Sequence, residues 1–375
     1  MRDVAVIAVA VALGGTATWL LSGCGSSGGS GSTQSSSTPS ASETPSQKRA
    51  VAAAERFLDR YVTPDGRVVR IDQGGDTVGE GQAYGMLLAA AIGDSNRFNT
   101  IWAWTQNNLQ RPDGLLSFLW RDGHVVDPQA ASDADLDASR ALLIAACRFN
   151  RPALRQQAIH LGNAIKQVEV ASFQGAPVLT AGPWAVPAPI TVNPSYFSPA
   201  TDAALGAASG DARWASLAAS SRSITSALMS GSSRLPPDWA RLEGGRPVPI
   251  GEPSEPQKRP EFSFDAVRTL VRMAEDPNPA GRLIAARAWP VFAGQDPTNL
   301  PVQHTLAGRP IGDVLHPVVL VAAAGAADAA GHPAARDGLL DQAEALDRRS
   351  PTYYGAAWVA LGRLMLTTKL LDACS

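Results

Sequence analysis

The length, composition and charge of the chain restrict the kinds of protein it can be. It has 375 residues, 45% of them hydrophobic, which is enough to bury a large core in one large domain or two smaller ones. A net charge of −2 gives no general attraction to nucleic acid or to anionic membranes. The five histidines show no zinc-ligand spacing. We therefore expect no metal, no cofactor and no nucleic-acid partner.

The first 24 residues predict export from the cytoplasm. An uncharged run of about 18 residues ends in L-S-G-C at residues 21–24, and a short apolar segment ending in small residues is typical of a signal peptide. The ending resembles a bacterial lipobox, which predicts a lipoprotein signal over residues 1–24, lipidation at Cys24, and a protein that is anchored at the cell envelope or secreted. Arg2 is the only basic residue before the run, so a retained membrane helix is the alternative.

Residues 25–47 predict a disordered tether. They consist largely of Ser, Gly, Thr and Pro, with a single charge at Glu43. Such a segment cannot bury enough apolar surface to offset the entropy lost on ordering. We expect it to separate the anchor from a domain over residues 48–375, and a spacer with no further role is the alternative.

Two cysteines remain after Cys24. Cys147 lies in a predicted helix, and Cys374 is one residue from the end. An oxidising compartment would permit a disulfide between them. The interpretation preferred from the sequence is two unpaired thiols.

Helical patterns dominate the domain. They predict about twelve helices, at roughly 50–58, 78–92, 95–109, 133–149, 152–169, 199–207, 211–230, 263–276, 280–293, 314–328, 333–346 and 352–371. Strand patterns are scarce, and the best is a hairpin in which residues 115–121 and 124–126 flank Asp122-Gly123. Neither strand–helix alternation nor a fixed-period repeat is present, which disfavours Rossmann, TIM-barrel and solenoid folds. The sequence predicts one all-α domain, a closed toroid of six helical hairpins with a minor β-hairpin.

The first patch with chemical potential surrounds Glu80. Residues 77–88 are T-V-G-E-G-Q-A-Y-G-M-L-L, in which Thr77 and Glu80 fit a capping box at a helix start. Three glycines in the first turns cost about 1 kcal/mol each relative to alanine. A helix with that cost needs close approach to its backbone, either by a sugar ring beside Glu80 or by another helix.

The second patch is acidic. Asp133, Asp135 and Asp137 begin a predicted helix, and three alternate carboxylates exceed what helix capping requires, although capping alone remains an alternative. An EF-hand is excluded because Ala138 and Ile144 stand where that loop requires Gly and Glu.

The third patch contains Asp265 and Arg268, which are three residues apart and could form an ordinary ion pair on one helix. The chain has no H-E-x-x-H, no G-x-S-x-G and no phosphate-binding loop. A hydrolase with this sequence would have to use carboxylates, as glycosidases do.

Together these patches resemble glycoside hydrolase family 8, the family of bacterial endoglucanases, chitosanases and related enzymes, over residues 48–371. Residues 78–86 resemble the family's S-E-G-Q-G-Y-G-M block, and residues 131–149 resemble its signature that begins A-S/T-D-A/G-D. Residues 264–268 resemble its Y-D-A-x-R block. Residues 193–199 and 235–239 are also similar to segments of the family. The chain departs from the family at Gly79, where Ser is usual, at Phe264, where Tyr is usual, and at residues 138–139 and 271–272.

The resemblance implies an (α/α)6 toroid and an inverting, endo-acting hydrolase of β-1,4-linked polysaccharide, first of all cellulose-type glucan. Glu80 is the implied general acid, Asp265 the implied general base and Asp133 the residue that holds the distorted sugar. The candidates for substrate binding are Trp120, Trp184, Tyr196, Arg268 and Tyr354. Chitosanase or xylan-cleaving activity, or a tethered glycan-binding protein without turnover, are the alternatives. We expect a monomer whose partners are the polysaccharide and, through the lipid, the membrane.

Overall fold

The computed structural model describes residues 44–255 and 257–372. The predictions of a signal peptide, of lipidation at Cys24 and of most of the tether lie outside the described residues. No helix within the described ranges has both the length and the apolar character needed to cross a membrane.

Thirteen helices occur in the described residues. They are α1 (Pro45–Tyr61), α2 (Gly79–Ile92), α3 (Ser95–Asn108), α4 (Ser132–Arg148), α5 (Pro152–Val168), α6 (Pro199–Ser209), α7 (Arg213–Leu228), α8 (Ala266–Ala274), α9 (Pro279–Ala286), the single turn α10 (Trp289–Phe292), α11 (Pro317–Ala329), α12 (Pro333–Arg349) and α13 (Tyr353–Thr367). The predicted helix at 280–293 is therefore two pieces, and the other eleven predicted helices correspond to one helix each.

Six helices form a closed inner ring. Each packs on the next in the order α2, α4, α6, α8, α11, α13, and α13 packs back on α2. The outer helices α1, α3, α5, α7, α9 and α12 pack against this ring. Most side chains of α2, α4, α11 and α13 are buried, as expected of helices that are enclosed on all sides. This closed ring is the predicted toroid of paired helices.

Ten short strands form four antiparallel sheets. They are β1 (Thr77–Val78), β2 (Leu119–Arg121), β3 (His124–Asp127), β4 (Val170–Phe173), β5 (Ala176–Leu179), β6 (Ile190–Val192), β7 (Trp239–Glu243), β8 (Arg246–Ile250), β9 (Pro301–His304) and β10 (Pro310–Leu315). All of them lie in connections that run from an outer helix to the next inner helix. One end of the toroid therefore carries long connections beside the N-termini of the inner helices, and this end holds the candidate site.

Three sequence expectations need correction. The hairpin at Asp122-Gly123 forms, with φ of 54° and 86° at its two turn residues, but it is one of several small sheets. Short strands in loops are missed because they have too few residues for period-2 alternation to register. Helix α1 begins at Pro45, inside the predicted tether of 25–47, because Thr44 Oγ1 caps its first turn by accepting from the Gln47 N–H.

The third correction concerns Cys147, which is disulfide-bonded, so the expectation of an unpaired thiol is wrong for this residue. Its partner sulfur lies outside the described residues, where the chain's other two cysteines also lie.

Candidate active site

Three inner helices bring the predicted carboxylates to one end of the toroid. Glu80 is in the first turn of α2 and Asp133 in the first turn of α4. Asp265 is the residue immediately before α8. The side chains of Glu80 and Asp265 are 21% and 31% exposed, whereas that of Asp133 is 2% exposed. The site thus has two carboxylates that reach solvent and one that lies beneath them.

The guanidinium of Arg268 joins all three carboxylates. Its Nη1 lies 2.8 Å from Asp133 Oδ2 and 3.2 Å from Glu80 Oε2, and its Nη2 lies 2.7 Å from Asp265 Oδ1. The side chain is only 2% exposed. The predicted ion pair between Asp265 and Arg268 exists, but it is one part of a larger network. Arg268 lies buried under the carboxylates and is placed to hold them in position. The expectation that it also binds substrate stays a prediction.

Tyr84, one turn after Glu80 on α2, completes the network. Its hydroxyl oxygen accepts from Arg268 Nη1 and from Trp358 Nε1, both at 3.2 Å. A phenol has one proton, and with both acceptor positions occupied that proton is directed at Glu80 Oε2, 3.4 Å away. Glu80 is therefore held from one side by Arg268 and from below by Tyr84.

The surroundings of Glu80 favour its protonated form. Burial raises the pKa of Glu80 to about 7, the charge of Arg268 opposes this shift, and the charges of Asp133 and Asp265 add to it. Burial also raises the pKa of Asp133, with the Arg268 charge opposing. A carboxyl group with a pKa near neutrality is suited to donate a proton at neutral pH.

The alternate acidic residues of α4 have three different partners. Asp133 accepts from Arg268, and Asp137 accepts two bonds from Arg272 at 2.9 and 2.7 Å. Asp135 Oδ1 accepts from the Leu116 N–H at 2.9 Å. The N-cap residue Ala131 provides no side-chain cap, and within the cluster only Asp133 accepts a first-turn N–H, that of Ala134 at 2.9 Å, so capping does not explain the whole cluster.

The capping-box alternative for Glu80 is also wrong. Thr77 Oγ1 donates to Val68 O at 2.8 Å instead of accepting from the helix, and α2 has no side-chain cap. The glycines of α2 allow other parts of the protein, and not a sugar ring, to pack closely against the helix backbone. A Cβ atom on Gly81 would lie 2.6 Å from the Tyr353 hydroxyl.

One group of aromatic side chains extends from the carboxylates to the surface. The ring of Tyr196 lies 5.2 Å from the Arg268 guanidinium carbon. Trp239 lies 6.1 Å from Tyr196 and 6.2 Å from Trp184, between ring centroids. Trp184 is 42% exposed. The candidates Tyr196 and Trp184 are thus connected by Trp239, which the sequence analysis did not select.

A second aromatic group lies beside Asp265. The ring of His316 is 5.2 Å from that of Phe264 and 6.1 Å from that of Tyr354. The Tyr354 hydroxyl donates to Phe264 O at 2.7 Å, so this candidate supports the backbone next to Asp265. Phe264 is 39% exposed and offers an apolar face at the site where the family pattern has a tyrosine.

The candidate Trp120 lies on β2, next to the strand that leads into α2. Its ring packs against Trp104 at 5.3 Å and under the Arg67 guanidinium at 4.8 Å. Trp120 is partly exposed at the same end of the toroid as Glu80.

The opposite end of the toroid contains a cavity of about 1240 Å³ lined by charged residues. Three of its four arginines form ion pairs: Arg140 with Glu275 at 2.9 Å, and Arg282 and Arg336 with Asp328 at 3.0 and 2.8 Å. The fourth, Arg155, donates to Ala208 O at 2.8 Å. Several of these guanidinium groups also donate to the last carbonyls of inner helices, which stabilises the negative ends of the helix dipoles. This end is a structural closure of the ring.

No group of three or more His, Cys, Asp or Glu side chains in residues 44–255 and 257–372 is arranged to hold a metal ion. The functional residues that the sequence analysis did not select are Tyr84 and Trp239, each of which lies in a quoted segment of the resemblance. Their roles depend on partners more than 40 residues away in the sequence, which no local pattern reveals.

Comparison with known proteins identifies the family of the chain. The family model described as "Glycosyl hydrolases family 8" matches residues 37–289. The chain belongs to this family. Membership confirms the resemblance predicted from the sequence and the class of enzyme, a glycoside hydrolase.

The chain is also similar to individual bacterial proteins. A probable endoglucanase of Novacetimonas hansenii is 34% identical over 223 residues, which are 56% of this chain and 63% of that protein. The matched part thus spans somewhat less than two thirds of that relative. An endoglucanase of Cellulomonas uda is 30% identical over 64% of this chain and 67% of its own length. The solved structure of the endo-β-1,4-glucanase CMCax from Acetobacter xylinum has a TM-score of 0.72 and 28% identity, covering 85% of this chain and 98% of its own.

Proposed function

We propose that the protein is an endo-β-1,4-glucanase that hydrolyses its substrate with inversion at the anomeric carbon. The observation that carries the proposal is the convergence of Glu80, Asp133 and Asp265 on the guanidinium of Arg268, with the pKa of Glu80 raised to about 7. The β-1,4-glucan is proposed because the relatives above are named endoglucanases and one of them an endo-β-1,4-glucanase.

Glu80 is the proposed general acid. Its pKa of about 7 keeps a large fraction protonated at neutral pH, and its partial exposure lets it reach the oxygen of the bond that breaks. As the proton leaves, negative charge develops on Glu80. Arg268 and the Tyr84 hydroxyl, both already directed at Oε2, stabilise that charge without rearrangement.

Asp265 is the proposed general base. It has the most exposed carboxylate of the three, so a water molecule can reach it. Glu80 and Asp265 bind different nitrogens of one guanidinium, which sets an upper limit on their separation. For inversion the two carboxyls must be roughly 6.5–9.5 Å apart, so that a water molecule fits between the base and the sugar.

Asp133 is the proposed sugar-holding residue. Its Oδ1 accepts the Ala134 N–H at 2.9 Å and its Oδ2 accepts from Arg268, so the side chain has a fixed orientation below the acid and the base. The exposed aromatic faces of Trp184 and Phe264 lie on connections at the same end and are suited to stack on sugar rings.

Three measurements test the proposal. Release of reducing ends is measured on carboxymethylcellulose, chitosan and xylan, and a fall in viscosity that precedes most of that release identifies endo-cleavage. The anomer formed first is identified by ¹H NMR, and inversion predicts the α-anomer. Preferred cleavage of chitosan or xylan would replace the glucan, and a purified, folded protein inactive on all three would favour a glycan-binding function.

We also propose that the enzyme acts outside the cytoplasm, held by a lipid on Cys24 through a tether that ends before Pro45. The L-S-G-C motif at residues 21–24 supports this, as does the disulfide at Cys147, because disulfides persist in oxidising compartments. Cys24→Ala should leave an unprocessed precursor or release the protein from membranes, with glucan hydrolysis retained. Normal processing and attachment of that variant would favour a retained membrane helix.

A further inference from the structure

The backbone around Asp265 is held by one carboxylate that the mechanism above does not use. Asp238 Oδ1 accepts from the Ser263 N–H at 2.9 Å and from the Ala266 N–H at 2.7 Å. These N–H groups lie two residues before and one residue after Asp265. The Asp238 N–H in turn donates to Glu261 O at 2.9 Å.

This arrangement differs from an ordinary helix cap. Asp265 occupies the N-cap position of α8, yet the side chain of Asp265 does not cap that helix. Ala266 is the first residue of the helix, and its free N–H donates instead to Asp238, the residue immediately before β7. The cap residue's own carboxylate is thereby left available for Arg268 and for solvent.

Apart from those to Asp238, the backbone hydrogen bonds that this loop makes with distant parts of the chain lie before Asp265. Phe262 pairs with His304 through two backbone hydrogen bonds of 3.0 and 2.9 Å. The Tyr354 hydroxyl binds Phe264 O. Asp238 is the group that ties down the chain on both sides of the base. Burial raises the pKa of Asp238 well above its usual range and the charge of Asp265 adds to the shift, which agrees with the closeness of the two carboxyls.

We propose that Asp238 is a positioning residue for catalysis, which holds Asp265 at the distance from the anomeric carbon that water activation requires. The proposal rests on the proposed function, in which Asp265 is the general base. A displacement of about 1 Å in a catalytic group can cost on the order of 10²-fold in rate. Asp238 needs only its acceptor oxygen for this role, so an amide should serve nearly as well as a carboxylate.

The test compares Asp238→Ala and Asp238→Asn with the wild type on carboxymethylcellulose. Asp238→Ala should lower kcat by at least about tenfold and leave KM within about twofold, because the base moves while the sugar-binding surfaces do not. Asp238→Asn should recover most of kcat, because its Oδ1 accepts the same two N–H groups. Asp296→Ala is the matched control, since Asp296 also accepts from a backbone N–H, that of Thr298 at 2.9 Å, in an exposed loop turn outside the site.

Hydrogen–deuterium exchange provides a readout that does not depend on activity. Peptides covering residues 261–268 should exchange faster in Asp238→Ala, while those of α2 and α4 stay protected. An inactive wild type would refute the proposed function, and unchanged exchange in Asp238→Ala would separately refute the positioning role.

Other outcomes would overturn the proposal directly. The first is a wild-type kcat in Asp238→Ala, and the second is a rise in the KM of Asp238→Ala at constant kcat. The third is an Asp238→Asn variant that is as slow as Asp238→Ala, which would mean that the charge of Asp238 matters and not its anchoring of the backbone. If Asp238→Ala does not fold, the Asn variant alone decides, because anchoring predicts near-wild-type kcat and a charge-dependent role predicts its loss.

Discussion

Arg268 lies with its Nη1 atom 3.2 Å from Glu80 Oε2, although 188 residues separate the two in the chain. The contact has two opposite effects on the proposed acid. It lowers the proton affinity that burial has raised, and it provides the counter-charge for the carboxylate that forms once the proton is donated. Several expected properties of the enzyme follow from this relationship and its surroundings.

Replacing Glu80 tests whether this residue is the general acid. Glu80→Gln keeps the size of the side chain but removes the proton, so hydrolysis of unactivated glucan should fall by at least about 10²-fold. An aryl cellooligosaccharide with a good leaving group needs less protonation and should recover part of the loss. Glu55→Gln, at an exposed position of α1, is the control. Near-normal glucan hydrolysis by Glu80→Gln would exclude it as the acid.

Replacing the proposed base should give the opposite pattern. Asp265→Asn leaves water unactivated whatever the leaving group, so the aryl substrate should bring no recovery. Added azide should restore turnover by taking the place of water and yield a glycosyl azide of inverted configuration, detectable by mass spectrometry and NMR. Recovery with the aryl substrate alone would show that Asp265 is not the base.

The pH dependence should report on Glu80. Because its pKa is about 7 and its protonated form is the active one, kcat/KM of the wild type should fall above about pH 7. Arg268 lowers this pKa, so the basic limb of the residual activity of Arg268→Met should move to higher pH. Arg272→Met is the control, as Arg272 is equally buried on the same helix but is paired with Asp137. An unchanged limb in Arg268→Met would contradict the assignment.

A second buried acidic pair should make stability depend on pH. Burial raises the pKa of both Asp135 and Glu169 well above their usual ranges, and the charge of Asp135 adds to the shift at Glu169. At pH values between the unfolded and folded pKa, the folded state therefore keeps protons that the unfolded chain has released. These residues stabilise the fold below about pH 4.5, and their contribution is lost as the pH rises through their folded-state pKa values. In urea unfolding, Glu169→Gln should gain stability relative to wild type between pH 5 and pH 9. Exposed Glu243→Gln is the control, and a pH-independent difference for Glu169→Gln would contradict the prediction.

A glycine of α2 and a glycine of α12 should respond in opposite ways to substitution. Gly81→Ala places a methyl group 2.6 Å from the Tyr353 hydroxyl and should destabilise the protein by about 1–3 kcal/mol. Gly338→Ala, in α12, meets nothing within 4 Å and should stabilise it by roughly 0.5–1 kcal/mol. Thermal or urea unfolding measures both. Equal effects of the two substitutions would show that packing at Tyr353 does not require the glycine.

The sequence by itself determined the helices and the identities of the carboxylates. Helical periodicity and composition depend on neighbours within two turns, so the bounds of α3, α5 and α12 differ by only a few residues from those predicted. Glu80, Asp133 and Asp265 were selected because they lie in short segments that resemble a family, and that resemblance is carried by local sequence. Most of the short strands were missed because they have too few residues for period-2 alternation to register, and the pairing of β6 with β7 joins two different connections, which no local pattern reveals.

Only the tertiary structure decided what these residues contact. From the sequence, Glu80 fitted a capping box and Arg268 a simple ion pair with Asp265, and both patterns are common on helices. Closure of the inner ring brings Arg268 within hydrogen-bond distance of Asp133, which is 135 positions away in the chain, and of Glu80, which is 188 positions away. It also buries Glu80 enough to raise the pKa of this residue. Proton affinity depends on burial and on charges within a few ångströms, and in a toroid those neighbours come from helices that are far apart in the chain.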